Sequence, residues 1–502
     1  MSLQKRLFLL ILLYSVVAGS VVFAQKSRPN VVFILVDDLG WADVGFNGSK
    51  FYETPNIDRL AKQSAQFTNG YAAAPICSPT RCNIMTGKSP ARLHITDWIP
   101  GYQDGLNKEQ LSKFKMISPK FVLNMPLEET TLAEALKSNG YKTCFVGKWH
   151  CSEDSAFYPQ YQGFDTNIGG WKSGSPTGNS KEGMAYFTPY NNPYLPDGPK
   201  GEFLTDRLAN ESMKWIEQQK NNPFFLYLSF YAVHTPIQAK SEDVAYFREK
   251  VKKMGIDKQP EFTTDLPWIK NNPHALSHWK ERLIQNNAEY AALIFNMDEN
   301  VGKVLNKIHE LGLDDNTIIC FMSDNGGLST AESSPTTNAP LRGGKGWLYE
   351  GGIREPFIIK IPNVSKANAK IETPVISSDF YPTILDACGL PLLPKQHMDG
   401  VSLIPLLKGN NLERKALFWH YPHYGGKGDS PAGAIREGKW KLIEFYADNH
   451  IELYNLEEDI SEKNNLAKQE PKIAGDLLKQ LHSWRKDVHA QMPVLNPGYR
   501  AN

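Results

Sequence analysis

Five short apolar runs, four of them followed by polar residues, constrain this chain more than any other feature. They cover residues 31–36, 143–146, 224–230, 317–322 and 357–361. Each is rich in β-branched or aromatic side chains without strict alternation, the pattern of parallel strands buried on both faces. Helical patterns lie between them. Thr131-Leu-Ala-Glu134 is a capping-box sequence that opens a short helix, which Gly140 can close. Residues 290–311 carry apolar side chains at helical spacing ahead of the fourth run. Strand alternating with helix predicts an α/β fold with a doubly wound, mostly parallel sheet and right-handed crossovers.

Ligands in such folds bind beyond the carboxyl ends of the strands. The residues there are Asp37-Asp38, Lys148-Trp149-His150, His234 and Asp324-Asn325. Residues 241–287 read as a charged, helix-prone surface excursion. After Leu407 the pattern changes to strands at 416–419, 439–445 and 451–455, then a helix over 471–488. The expected organisation is a leader over 1–24, an α/β catalytic domain over 25–407 and a C-terminal α+β subdomain over 408–502.

The leader has the form of a secretory signal. Lys5 and Arg6 precede an uncharged, mostly apolar run from Leu7 to Ala24, and Val22-Phe23-Ala24 supplies small residues for cleavage. The expected location is therefore periplasmic, cell-surface or secreted, without stable membrane insertion. Lysine plus arginine number 55 against 54 acidic residues, which excludes a broad basic surface and a nucleic-acid partner. An anionic substrate must be held by a few placed groups. The six cysteines (Cys77, Cys82, Cys144, Cys151, Cys320 and Cys388) are too few for a disulfide framework in 502 residues, and they lack the paired spacing of a zinc site.

Cys77-Ser-Pro79-Thr-Arg81, followed by Thr86-Gly87, resembles the signature of the type I sulfatases. Gly140 to His150 matches the family's second signature. Arg28 to Gly40 matches its opening strand and metal-binding aspartates. Ser323-Asp324-Asn325-Gly326-Gly327 matches the later metal pair. Lys345 and the Glu350-Gly-Gly-Ile-Arg354-Glu-Pro356 segment follow in family order. The resemblance spans nearly the whole chain after the leader and implies an alkaline phosphatase-like fold. It also implies that Cys77 is oxidised to formylglycine by a formylglycine-generating or sulfatase-maturating enzyme, with Pro79 and Arg81 serving that recognition.

Independently of the resemblance, Asp37 and Asp38 are costly as adjacent buried carboxylates unless paired or bound to a cation. With Asp324 and Asn325 they form an all-oxygen cage for a hard divalent ion. Calcium suits such a loose shell, and magnesium stays open. Lys148, His150, His234 and Lys345 supply positive charge and proton transfer for a sulfate ester.

The resemblance implies that a hydroxyl of the hydrated Cys77-derived aldehyde, deprotonated near the metal with help from Asp324, attacks sulfur. His234, with Lys345, protonates the leaving sugar oxygen, and His150 drives sulfate release. The expected activity is exo-acting sulfate-ester hydrolysis on a sulfated carbohydrate. The alternatives are a phosphonate or phosphate-ester hydrolase and a silent sulfoglycan-binding protein with Cys77 unmodified.

Residues 91–98 and 421–424 are similar to segments of bacterial sulfatases acting on galactose-type sugars, including 4-O-sulfated galactose or N-acetylgalactosamine. Asp97 and His423 are candidate hydroxyl partners, and Trp98, Trp171, Tyr421 and Tyr424 candidate stacking surfaces.

Overall fold

The computed structural model describes residues 28–101, 112–177, 185–265, 280–425 and 430–500. The expected leader lies outside these residues. Among the described residues, no helix is long and apolar enough to cross a membrane.

Eight strands form the main sheet: β1 (Asn30–Val36), β2 (Ala65–Phe67), β3 (Lys142–Gly147), β4 (Thr166–Ile168), β5 (Phe224–Ser229), β6 (Thr317–Ser323), β7 (Phe357–Lys360) and β8 (Ala369–Ile371). Their order is β8-β2-β7-β6-β1-β5-β3-β4. The run from β6 to β4 is parallel. β7, expected to be parallel, pairs antiparallel with both β6 and β2. A parallel return needs a long crossover; the chain between β6 and β7 instead stays near one end of the sheet, with the short helix Glu350–Ile353 immediately before β7.

Helices cover both faces of this sheet. On one side, α1 (Cys77–Thr86) and α2 (Leu132–Lys137) bury Ile84, Met85, Leu132 and Leu136 against Val31, Phe33 and Leu35. On the other, α3 (Leu204–Gln219) and α5 (Ala288–Glu310) bury Leu208, Ile216, Ile294 and Val301 against Val32, Ile34 and Val36. Between them in sequence, α4 (Ser241–Met254) opens the charged excursion and docks through Val244 and Phe247. Thr131 caps α2 as its sequence predicts, accepting from the Glu134 N–H while the Glu134 carboxylate accepts from the Thr131 N–H.

Strand register positions the site. Val36 lies opposite Ser323, Leu35 opposite Ser229, and Gly147 opposite Ser229. Asp37, Lys148 and Asp324, each the next residue in its chain, therefore emerge side by side at the carboxyl edge.

A second sheet is a four-stranded antiparallel meander of β9 (Ala416–Tyr421), β10 (Ala432–Glu437), β11 (Trp440–Phe445) and β12 (Ile451–Asn455). With the short helix Glu350–Ile353 labelled α6, one face of this sheet holds the C-terminal helix α7 (Pro471–Asp487) through Leu477 and Leu481 on Ile435, Leu442 and Leu453. The other face shares an apolar core with Tyr71, Ile76, Trp347 and Tyr349, residues next to the site.

Candidate active site

Cys77 is the first residue of α1 and is buried, with its Sγ 3.6 Å from Asp37 Oδ1. Burial pushes its thiol up to about 12 despite Lys148 and Lys345, so the unmodified side chain stays an uncharged thiol at neutral pH. The ligand atoms of Asp37, Asp38, Cys77 and His234 lie within 4.8 Å of one another.

Three cations bracket the carboxylates. Lys148 Nζ is 2.6 Å from Asp37 Oδ2, and Lys345 Nζ is 2.8 Å from Asp38 Oδ2. Arg81 joins Asp324 Oδ2 at 2.7 Å and Asp37 Oδ1 at 3.6 Å. Its guanidinium also donates to the Lys148 carbonyl at 2.9 Å and to Ser229 Oγ at 2.7 Å, which ties α1 to the ends of β3 and β5. Burial favours neutral Asp38, but Lys345, His234 and Lys148 outweigh it and hold this carboxyl well below the usual range. Burial together with nearby Asp37 pushes Asp324 up to about 6 despite Arg81 and Lys148.

Of the four residues expected to form a cage, Asp37 and Asp38 fall in the 4.8 Å group with Cys77 and His234, whereas Asp324 and Asn325 are joined to Asp38 by hydrogen bonds. Asp324 Oδ1 accepts the Asp38 N–H at 3.2 Å, and Asn325 Nδ2 donates to Asp38 Oδ1 at 2.8 Å. Asn325 Oδ1 is buried with no hydrogen-bond partner among the described residues. A buried amide oxygen left bare beside carboxylates fits a hard cation. Asp38 itself sits in the left-handed region at φ 61°, a strained placement typical of sites that must aim a side chain.

The two histidines present different nitrogens. His150 Nε2 lies 2.6 Å from the Ile99 carbonyl and so carries the proton, leaving Nδ1 buried and without a partner among the described residues. His234 donates Nδ1–H to the Thr235 carbonyl at 2.7 Å and points Nε2 toward Asp38 Oδ2 at 3.7 Å. Burial, then neighbouring lysine charge, lowers both; His234 falls to about 3. With 13% of its side chain exposed, against 4% for Lys345 and 0% for Lys148, His234 marks the open side of the pocket.

Two glycines make this geometry possible. At Gly147 (φ 102°) a Cβ would fall 1.9 Å from the Ser229 carbonyl oxygen, and at Gly174 a Cβ would fall 2.4 Å from the His150 ring.

The sulfatase family model matches residues 29–390, well over half of the chain. The chain belongs to the sulfatase family. It is therefore a hydrolase of sulfuric esters. A second match, to the C-terminal part of N-sulphoglucosamine sulphohydrolase, covers residues 344–489 of this sulfatase.

A "Sulfatase" of Formosa agariphila is 31% identical, over 91% of this chain and 89% of the relative. The mouse N-acetylgalactosamine-6-sulfatase is 29% identical, over 80% of this chain and 70% of the relative. Among solved structures, Ps i-CgsB in complex with k-i-k-neocarrahexaose superposes with a TM-score of 0.70 at 30% identity. That match covers 92% of this sulfatase and 93% of the other chain.

Of the outer candidates of the sulfatase, Asp97 and Trp98 lie on a segment that meets the site at Ile99, whose N–H donates to Ser78 Oγ at 3.0 Å and whose carbonyl faces His150. Asp97 is buried; its Oδ1 accepts from the Trp98 N–H at 2.8 Å and from the Tyr421 hydroxyl at 3.2 Å. His423 is buried against Phe121, with Nε2 2.8 Å from Thr96 Oγ1. Trp171, Tyr421 and Tyr424 are buried rather than laid open for stacking, and only Trp98 of the four is partly exposed.

Sequence reasoning missed Ser229 and Asp43. Asp43 is a fully buried carboxylate accepting from Gly40 N–H, Tyr290 and Thr336 at 2.9, 2.8 and 2.6 Å, and so holds the loop after Asp38. Its side-chain partners Tyr290 and Thr336 are distant in sequence, so no spacing announces it.

Proposed function

We propose that this sulfatase removes sulfate from a galactose-type saccharide, galactose or N-acetylgalactosamine with 4-O-sulfate first among the candidates, through formylglycine derived from Cys77. The observation that carries the reading is the convergence of Cys77, Asp37, Asp38 and His234 within 4.8 Å, with Lys148 and Lys345 on the carboxylates. Carbohydrate as substrate class is supported by the mouse relative named for N-acetylgalactosamine and by the saccharide bound in Ps i-CgsB.

Asp37, Asp38, Asp324 and Asn325 would hold a divalent cation, calcium before magnesium. Such a cation supplies a Lewis-acid charge for the sulfate oxygens and lowers the pKa of a neighbouring hydroxyl. Oxidised to formylglycine and hydrated, residue 77 supplies the attacking hydroxyl, whose proton passes to Asp324 as its oxygen bonds to sulfur and the bond from sulfur to the sugar oxygen breaks. That oxidation requires a formylglycine-generating or sulfatase-maturating enzyme as a biosynthetic partner, and the basic-then-apolar start of the chain fits export.

The remaining work falls to the protein's own side chains. Lys148 and Lys345 share their charge between the aspartates and the sulfate oxygens, so that the ester's negative charge enters a pocket already paired. Arg81 keeps Asp324 and Asp37 in place. His234, at the open side, presents Nε2 to the departing sugar oxygen; the anionic ester raises its proton affinity, and the proton is passed to the leaving group. His150 offers the bare Nδ1 lone pair to accept a proton from residue 77 in the release step.

The test is a panel of monosulfated galactose and N-acetylgalactosamine isomers, assayed for released sulfate beside matched aryl sulfate and aryl phosphate. The reading expects the highest kcat/KM on one galactose-type isomer and aryl sulfate well above aryl phosphate. Faster turnover of the phosphate, or no activity on any galactose-type sugar, would overturn it.

A further inference from the structure

The segment that carries Lys345 is tied at both ends to the C-terminal sheet. Its ends meet where Gly351 N–H donates to the Arg342 carbonyl at 2.8 Å, closing a loop with Lys345 inside it. At one end, Arg342 lies over the Tyr349 ring, 4.1 Å from its centroid, and donates to Tyr454 Oη at 3.1 Å and the Glu462 carbonyl at 2.7 Å. At the other end, Tyr349 donates to Glu452 at 2.8 Å, and Glu350 meets Lys441.

Lys441, on β11, is fully buried, with Nζ 2.9 Å from both Glu350 Oε1 and Glu462 Oε1. Glu462 Oε2 then accepts the Glu350 backbone N–H at 2.7 Å. Glu350 is joined on the catalytic side by the Tyr71 hydroxyl at 2.7 Å and by Arg354 at 3.3 Å.

An apolar core of Trp347, Tyr349, Trp419 and Ile443 pulls the loop and sheet together but tolerates sliding. A buried lysine bridging carboxylates from two chain segments does not tolerate it, because any shift leaves an unpaired charge in the interior. The network therefore fixes register where hydrophobic contact alone would not.

We propose that the C-terminal sheet positions the catalytic lysine: Lys441, acting through Glu350 and Glu462 and with Arg342 at the other end, sets where Lys345 stands relative to Asp38. Lys441 is a positioning residue, about which the Cys77-centred chemistry says nothing. This rests on the reading of Lys345 as a group that contacts the sulfate ester.

A double-mutant cycle tests it. Lys441→Met, Glu462→Gln, Lys345→Ala and the two combinations with Lys345→Ala are compared for kcat/KM on an aryl sulfate, inhibition by inorganic sulfate and thermal midpoint. Each network substitution alone is expected to lower kcat/KM by about 10- to 100-fold and to weaken sulfate inhibition, as a displaced contact group does. In the Lys345→Ala background the same substitution should cost less than about 2-fold, since the group it positions is gone.

Additive losses would overturn the proposal while leaving the role of Lys345 intact. Full activity in Lys345→Ala would overturn both. Should Lys441→Met fail to fold, Glu462→Gln, which keeps shape and size, decides by the same criterion.

Discussion

Asn325 donates from Nδ2 to Asp38 Oδ1 at 2.8 Å and leaves its own Oδ1 buried without a partner among the described residues. Asp38 follows β1 and Asn325 follows β6, so the bond joins the carboxyl ends of two neighbouring parallel strands. A divalent cation held there would give the bare oxygen its partner. Asn325→Ala is expected to weaken calcium binding by about 10- to 100-fold in chelator competition, with activity recovered at excess calcium. Unchanged calcium affinity in the variant would remove Asn325 from the cage.

Gly174 leaves room for the imidazole of His150, whose Nε2 is already committed to the Ile99 carbonyl. Gly174→Ala puts a methyl group into that ring and should turn Nδ1 away from residue 77. The expected outcome is a fall in kcat of about 100-fold with KM changed little. A matching rise in KM with kcat unchanged would show that His150 contributes to binding and not to proton transfer.

Acid should destabilise this sulfatase earlier than carboxylate protonation requires. Burial pushes His420 down to about 4, with Arg485 opposing its charge, and burial pushes His423 down to about 3. Both stay neutral in the folded protein, whereas the unfolded chain binds protons at its ordinary pKa near 6.5. Stability is therefore full above about pH 6.5 and is lost as pH falls toward 4, by up to about 1.4 kcal/mol per pH unit for each group. His420→Gln should flatten the dependence of the urea midpoint between pH 7 and 5. A slope equal to that of the wild type would contradict the assignment.

The central strands were readable because full burial leaves a continuous apolar signal, and β1, β3, β5 and β6 lie within a residue or so of their expected bounds. β2, β4 and β8 have three residues each, too few to show a pattern. β10 escaped because Gly433 interrupts a strand otherwise led by alanines. The reversal of β7 was not legible, since direction is set by connection and not by side chains.

In the site, Asp37, Asp38, Lys148 and Asp324 could be located because they follow buried strands directly. Asp97 and His423 could not be judged from sequence, because their engagement by Tyr421 and Thr96 depends on contacts across more than 300 residues. Lys441 and Glu462 were silent for the same reason: each looks like an ordinary surface charge until its partner in the fold is known.

The mass of the peptide containing residue 77, taken from enzyme of measured activity, decides whether formylglycine carries the turnover of this sulfatase. Conversion of Cys77 to formylglycine replaces one sulfur and two hydrogens by one oxygen. The converted fraction is expected to rise in proportion to specific activity across preparations, and Cys77→Ala to fold without turning over any sulfate ester. Full activity from protein whose residue 77 is entirely unmodified cysteine would contradict this role of formylglycine.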